Sequence, residues 1–136
     1  MKKEKVDLCY KSSTGQVAVA RNPCQGDDVK LLCICQVGAL RSPTAARVLQ
    51  DLYGFNTRAC GLDKDALVPL SETLLIWADR ILCFSHVHAG VVEQMIKFSE
   101  HIEDWQVPEI EVISISDDYD YMETELVEMI TYGFKV

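Results

Sequence analysis

The sequence lacks the features that would send it through or into a membrane. No apolar run approaches the ~20 residues that a spanning helix needs. The opening Met-Lys-Lys-Glu-Lys is not followed by a signal-peptide core. Secretion and a membrane partner are therefore not expected. Positive charge is scarce as well: 13 lysines and arginines face 21 aspartates and glutamates, a formal net charge of −8. That balance offers a nucleic acid no general attraction. Glycine and proline number only seven and four, which excludes collagenous and low-complexity chains. Six cysteines are present (Cys9, Cys24, Cys33, Cys35, Cys60, Cys83), but none form a Cys-x-x-Cys pair or a Cys/His cluster at zinc spacing. No metal or other cofactor is expected. Without an export signal, the expected setting is cytoplasmic, with most thiols reduced and acting as small apolar residues.

What is present is one domain's worth of globular sequence. At 136 residues and 49% hydrophobic, the chain can bury a sizeable core unaided. Residues 1–28 read as an extension. Val6–Tyr10 and Gln16–Ala20 alternate weakly around Ser-Ser-Thr-Gly, the pattern of a β-hairpin, and residues 21–28 read as a turn-rich connector. Residues 29–136 read as a separate unit in which strand, loop and helix recur. Val29–Cys35 is a nearly continuous apolar run, as expected for a strand covered on both faces. Ser42-Pro43 reads as a hydroxyl cap followed by a first-turn proline. Ala45, Val48, Leu49 and Leu52 follow at helical spacing up to Gly54. Phe55–Cys60 is a second strand. Ser71 caps a short helix carrying Leu74, Leu75 and Ala78. Arg80–Phe84 is a third strand, and Ser85 caps a helix whose apolar side reads as Val87, Val91, Met95 and Phe98. Glu109–Ser116 is a fourth strand, followed by an acidic-aromatic loop, Asp117–Tyr121. Leu126, Val127 and Ile130 mark a last helix closed by Gly133.

This alternation implies a three-layer α/β fold: a four-stranded parallel sheet in flavodoxin-like order, helices on both faces, plus the N-terminal hairpin. Such sheets bind ligands at the carboxyl ends of their strands. The loop there reads Cys35-Gln36-Val37-Gly38-Ala39-Leu40-Arg41-Ser42. Loop N–H groups and a helix N-terminus converging on one spot make an anion cradle from Gln36, Val37, Gly38, Ala39, Leu40, Arg41 and Ser42. Arg41 adds a two-pronged fork for phosphate-like oxygens. The same positive potential favours the thiolate of Cys35, which would stand ready for in-line attack on a bound phosphoryl group. Ser42 can donate to that sulfur as it leaves. Taken singly, a strand-end cysteine is ordinary core and a helix-start arginine ordinary surface charge; their coincidence carries the expectation.

In these residues the chain resembles the low-molecular-weight protein tyrosine phosphatases, and more closely the small bacterial and phage phosphatase-like proteins related to them. Cys35, Arg41, Ser42 and Pro43 match the family's Cys-x5-Arg-Ser-Pro signature one by one, and the resemblance spans about residues 29–130. It implies a metal-independent hydrolase with a cysteine nucleophile, acting on phosphotyrosine in a protein or on a small aryl phosphate. Two departures stand out. Leu40 replaces a second cysteine common in the family, so no disulfide forms within the loop. Gly38 replaces a usual asparagine; both tolerate a left-handed backbone, but the asparagine's buttressing hydrogen bonds are lost, which would reduce activity. The family's general acid lies in an Asp-Pro-Tyr stretch, aligned here with Asp117-Asp118-Tyr119. That implies Asp117 as acid, Asp118 as rival, and Tyr119 as an aromatic wall beside the substrate; both carboxylates could instead simply suit the following helix.

Other residues carry weaker signals. His86 and His88 share the strand end with the loop, but a capping or surface role is the plainer expectation. Cys33 could trap Cys35 on oxidation, though a buried strand thiol is plainer. Trp77 and Trp105 read as packing residues and 100–104 as solvated surface. Two alternatives stay open beside the phosphatase: an arsenate reductase, for which Cys60 and Cys83 form no obvious thiol relay, and a module that binds phosphate or sulfate-type anions, or a phosphoprotein, with little turnover.

Overall fold

The computed structural model describes Tyr10–Ser12, Gly15–Val17 and residues 29–135. β1 (Tyr10–Ser12) pairs antiparallel with β2 (Gly15–Val17), with Ser12 opposite Gly15. The expected hairpin is therefore there, though its strands sit nearer the turn. The rest of residues 6–9 and 18–20, the connector at 21–28, and Cys9 and Cys24 lie outside the described residues.

The main sheet has four parallel strands: β3 (Lys30–Cys35), β4 (Asn56–Gly61), β5 (Arg80–Cys83) and β6 (Glu109–Val112), ordered β4-β3-β5-β6. Alternation along β3 sends Leu31, Cys33 and Cys35 to one face and Leu32 and Ile34 to the other. On the first face these meet Ala45, Val48 and Leu49 of α1 (Arg41–Tyr53) and Leu126 and Ile130 of α4 (Thr124–Gly133). On the second they meet Leu75 of α2 (Glu72–Trp77) and Ala89, Val92 and Ile96 of α3 (His86–Lys97). The three-layer parallel α/β architecture is thus as the alternation implies. Among the described residues, no helix is long and apolar enough to cross a membrane.

Several boundaries differ from expectation for identifiable reasons. α1 begins at Arg41, with Leu40 as N-cap and no side-chain cap; Ser42 is not the cap, because its hydroxyl is turned inward to the Cys60 carbonyl. Pro43 still falls in the first turn, where its missing N–H costs nothing. β6 stops at Val112, because its partner β5 ends at Cys83 and the chain there turns into α3. Gly133 lies inside α4 without a left-handed backbone; it sits against Ile113, whose Cγ2 would be 3.1 Å from an added Cβ. Gly54 does end α1 in the left-handed region (φ 74°), and Ser71 and Ser85 do cap α2 and α3 by accepting from Leu74 and His88 N–H.

The buried faces of α1 and α3 differ from those expected. Leu52 is half exposed and does not belong to the buried stripe of α1. On α3 the stripe of larger residues, Val87, Val91, Met95 and Phe98, faces outward, and the buried stripe is His88, Ala89, Val92 and Ile96. Both stripes recur at helical spacing, so periodicity alone does not choose between them. Smaller side chains let the helix lie close to the sheet.

Candidate active site

The strand order reverses between β3 and β5. β3 feeds α1 on one face, β5 feeds α3 on the other, and the two crossovers leave in opposite directions. A crevice must open between them at the carboxyl end of the sheet, and Cys35 stands at its floor.

The loop from Cys35 to Ser42 folds around the sulfur. Gly38 N–H donates to Cys35 Sγ at 3.2 Å, and Ser42 Oγ lies 3.2 Å from the same atom. Ser42 also donates to the Cys60 carbonyl at 3.2 Å. Its single hydroxyl hydrogen can serve the carbonyl while sulfur is a thiol, or the sulfur once it is a thiolate. The return of the chain depends on Gly38 (φ 76°) resting on Gly61, where an added Cβ at 38 would meet Gly61 N at 2.7 Å. The left-handed Gly38 is as expected. The contact also shows that an asparagine would not fit here, since its Cβ would strike the β4 backbone. The loop is pinned further by Leu62 N–H to Cys35 O at 2.9 Å and Asp63 N–H to Gln36 O at 2.8 Å.

Helix α1 opens into this loop with its N-terminus unfilled. Leu40 supplies no side-chain cap, the first turn holds no acidic residue, and Arg41 through Ala46 are buried. A buried helix start without a cap leaves N–H groups wanting an acceptor, and its dipole favours a negative one.

Arg41 is only 5% exposed. Its Nη1 donates to the Ile115 carbonyl at 2.8 Å, its Nη2 lies 3.5 Å from Asp117 Oδ1, and its ring-facing side is 5.9 Å from the Phe84 centroid. Its Nε is enclosed without a hydrogen-bond partner among the described residues. The guanidinium is thus fixed from behind while donors remain to be used. Asp117 is exposed and beside Arg41, whereas Asp118 accepts from the Ser116 hydroxyl at 3.0 Å. The two carboxylates have different surroundings, and Asp117 is the one turned to the arginine. Tyr119 is half-buried and packs against the α1/α4 core; its hydroxyl proton is held more tightly than usual by burial and by Glu125, Glu123 and Asp118. Burial likewise pushes the Tyr121 hydroxyl up to about 12.

His88 corrects the expectation of a capping or surface histidine. The cap is Ser85; the His88 ring is buried, its Nδ1 has no hydrogen-bond partner among the described residues, and burial and the nearby Arg41 charge hold it below the usual imidazole range, with Asp117 opposing. His86, by contrast, is exposed and lines a groove of about 700 Å³ beside edge strand β6, away from Cys35. Trp77 packs against the α2/α3 core under Arg58, 4.4 Å from the guanidinium, but Trp105 is 82% exposed and so is not the core packing residue expected.

The remaining described thiols are buried. Cys33 is enclosed, and burial raises it well above an ordinary thiol, as does burial for Cys60. Cys83 is pushed up to about 12 by burial and by Glu93. Cys60 and Cys83 point to the α2/α3 face and Cys35 to the α1/α4 face, so no thiol relay leads from Cys35 to them. No cluster of metal-ligating side chains occurs among the described residues.

The sequence did not mark Gly61, the Ile115 carbonyl, Phe84 or the burial of His88 as parts of the site. Gly61, directly after a strand-end cysteine, is the only one with a local signal; the others are brought in by the sheet. No family model matches the chain, and neither do curated proteins or solved structures.

Proposed function

We propose that this chain hydrolyses aryl phosphate monoesters, phosphotyrosine or a small phenolic phosphate, through a cysteinyl-phosphate on Cys35. The observation that carries the proposal is the position of Cys35 Sγ, 3.2 Å from Gly38 N and from Ser42 Oγ, at the mouth of an uncapped helix whose first residue is the buried Arg41. The phosphoryl group would take the place of the missing cap. Residues 36–42 would present N–H donors to its oxygens, and Arg41 would grip two of them with donors not spent on Ile115.

In the first step the Cys35 thiolate attacks phosphorus and the phosphorus–oxygen bond to the phenol breaks. Asp117 gives its proton to the departing oxygen. In the second step water attacks phosphorus while Asp117 takes a proton from it. The sulfur leaves as thiolate, stabilised by the Gly38 N–H and by the Ser42 hydroxyl once its hydrogen turns from the Cys60 carbonyl. A reducing, cytoplasmic setting suits such a thiol. The similarity of Cys35, Arg41, Ser42 and Pro43 to the low-molecular-weight phosphatase signature supports the same chemistry.

The test is hydrolysis of p-nitrophenyl phosphate by the full chain beside Cys35→Ser. We expect turnover by the first and none by the second, with vanadate or phosphate binding retained in both. A serine variant with near-native turnover would remove Cys35 from the nucleophile's role.

A further inference from the structure

We propose that His88 is a second ligand, across the crevice from Arg41, for the oxyanion held by the Cys35 loop. The inference rests on the preceding proposal for where the anion sits, but not on turnover.

Two buried polar side chains come from opposite walls of the crevice. Arg41 lies in the first turn of α1 and His88 in the first turn of α3, at the ends of neighbouring strands β3 and β5. Arg41 is 5% exposed and His88 9%, and Arg41 Nε and His88 Nδ1 are both enclosed without a hydrogen-bond partner among the described residues. Buried polar atoms are normally satisfied, and those left open in a native site ask for a ligand. The imidazole is not spent on capping, because the backbone N–H of His88, not its ring, meets Ser85 Oγ. A tetrahedral dianion between the two side chains would accept from both.

The charged groups facing the ring are Arg41 from α1 and Asp117 from the loop before α4; burial and Arg41 favour the neutral ring, and Asp117 opposes them. The Cys35 thiol closes the crevice from β3, and on its own helix His86 is turned to the sheet-edge groove. A dianion beside Arg41 cancels the field that keeps His88 neutral. The ring then takes one proton from solvent and donates through it to the anion. Affinity for the anion must therefore strengthen as pH falls through the titration of the bound form, and level off below that of the free form. The steepest slope is about tenfold per pH unit.

Sulfate is the probe, because it does not itself titrate near neutrality. Calorimetry on full-length Cys35→Ser, which removes the thiol, should show sulfate binding between about pH 5.5 and 8. Binding should take up a fraction of a proton that approaches one, and it should tighten several-fold per unit of falling pH. His88→Asn in the same background should lose the uptake, while Asp117→Asn should keep it. NMR titration of the unsubstituted chain gives a readout that does not depend on a variant's folding. The His88 ring signal, assigned by through-bond correlation to its own backbone, should titrate below the ordinary imidazole range and move up with sulfate. Sulfate binding without proton uptake, an unmoved His88 signal, uptake lost in Asp117→Asn, or no sulfate binding would each overturn the inference. Proton-linked sulfate binding by a chain that hydrolyses no aryl phosphate would leave it standing and sink the phosphatase proposal alone.

Discussion

Gly38 and Gly61 touch backbone to backbone: a Cβ added to Gly38 would lie 2.7 Å from Gly61 N, and one added to Gly61 would lie 2.7 Å from Gly38 N and 2.5 Å from the Val37 carbonyl carbon. Neither neighbour is a flexible side chain that could swing away. The loop that wraps Cys35 is thus shaped by the end of β4, a strand separated from it in sequence by the whole of α1.

Gly61→Ala must push the Cys35 loop off β4. The expected loss of stability is about 1–3 kcal/mol, the usual cost of overpacking, read as a fall in melting temperature. Oxyanion affinity should fall in parallel, because Gly38 N–H loses its aim at the sulfur. An alanine variant that melts earlier but binds phosphate as before would show that the loop holds its shape without Gly61.

Arg41→Lys keeps the charge and should still lose on the order of 10²-fold or more in turnover. Lysine is a single point donor. It cannot hold the Ile115 carbonyl, now 2.8 Å from Nη1, and also grip two phosphate oxygens. Near-native rates of p-nitrophenyl phosphate hydrolysis in this variant would place Arg41 outside the reaction.

Asp117→Asn and Asp118→Asn separate the two carboxylates. Asp117 stands 3.5 Å from Arg41, and Asp118 is held by Ser116. Loss of a general acid, on the order of 10²–10⁴-fold, should appear with phenyl phosphate or phosphotyrosine and shrink with p-nitrophenyl phosphate, whose phenolate needs little help. Asp118→Asn should show a small loss on both. The reverse pattern over the four rates would exchange the roles.

His88 also links stability to pH. Its folded-state value is lowered from the ordinary 6.5, first by burial and then by Arg41. The unfolded chain therefore binds the proton more readily, and stability falls as pH drops through about 6.5 toward the folded value. His88→Asn should flatten that part of the curve in denaturant melts measured over the same range. An unchanged slope would mean that another group accounts for it.

The local pattern of this sequence determined the elements and their order. Apolar runs made β3 and β5 readable as buried strands, and Ser71, Ser85 and Gly54 announced helix ends through bonds made within a turn of themselves. The Cys35–Ser42 segment was legible for the same reason: nucleophile, arginine and serine lie within one loop. Tertiary structure decided what depends on which face of an element meets a neighbour. α3 carries two apolar stripes, and only its seating on the sheet turned Ala89, Val92 and Ile96 inward and took His88 with them. Ser42 looked like a cap and became a partner for Cys35, because the Cys60 carbonyl of β4 lies beside it. Likewise, the Ile115 carbonyl behind Arg41 is supplied by a segment 74 residues away. Periodicity and spacing report bonds between near neighbours in sequence. The second wall of the crevice is built from contacts between strands that only the packed sheet brings together.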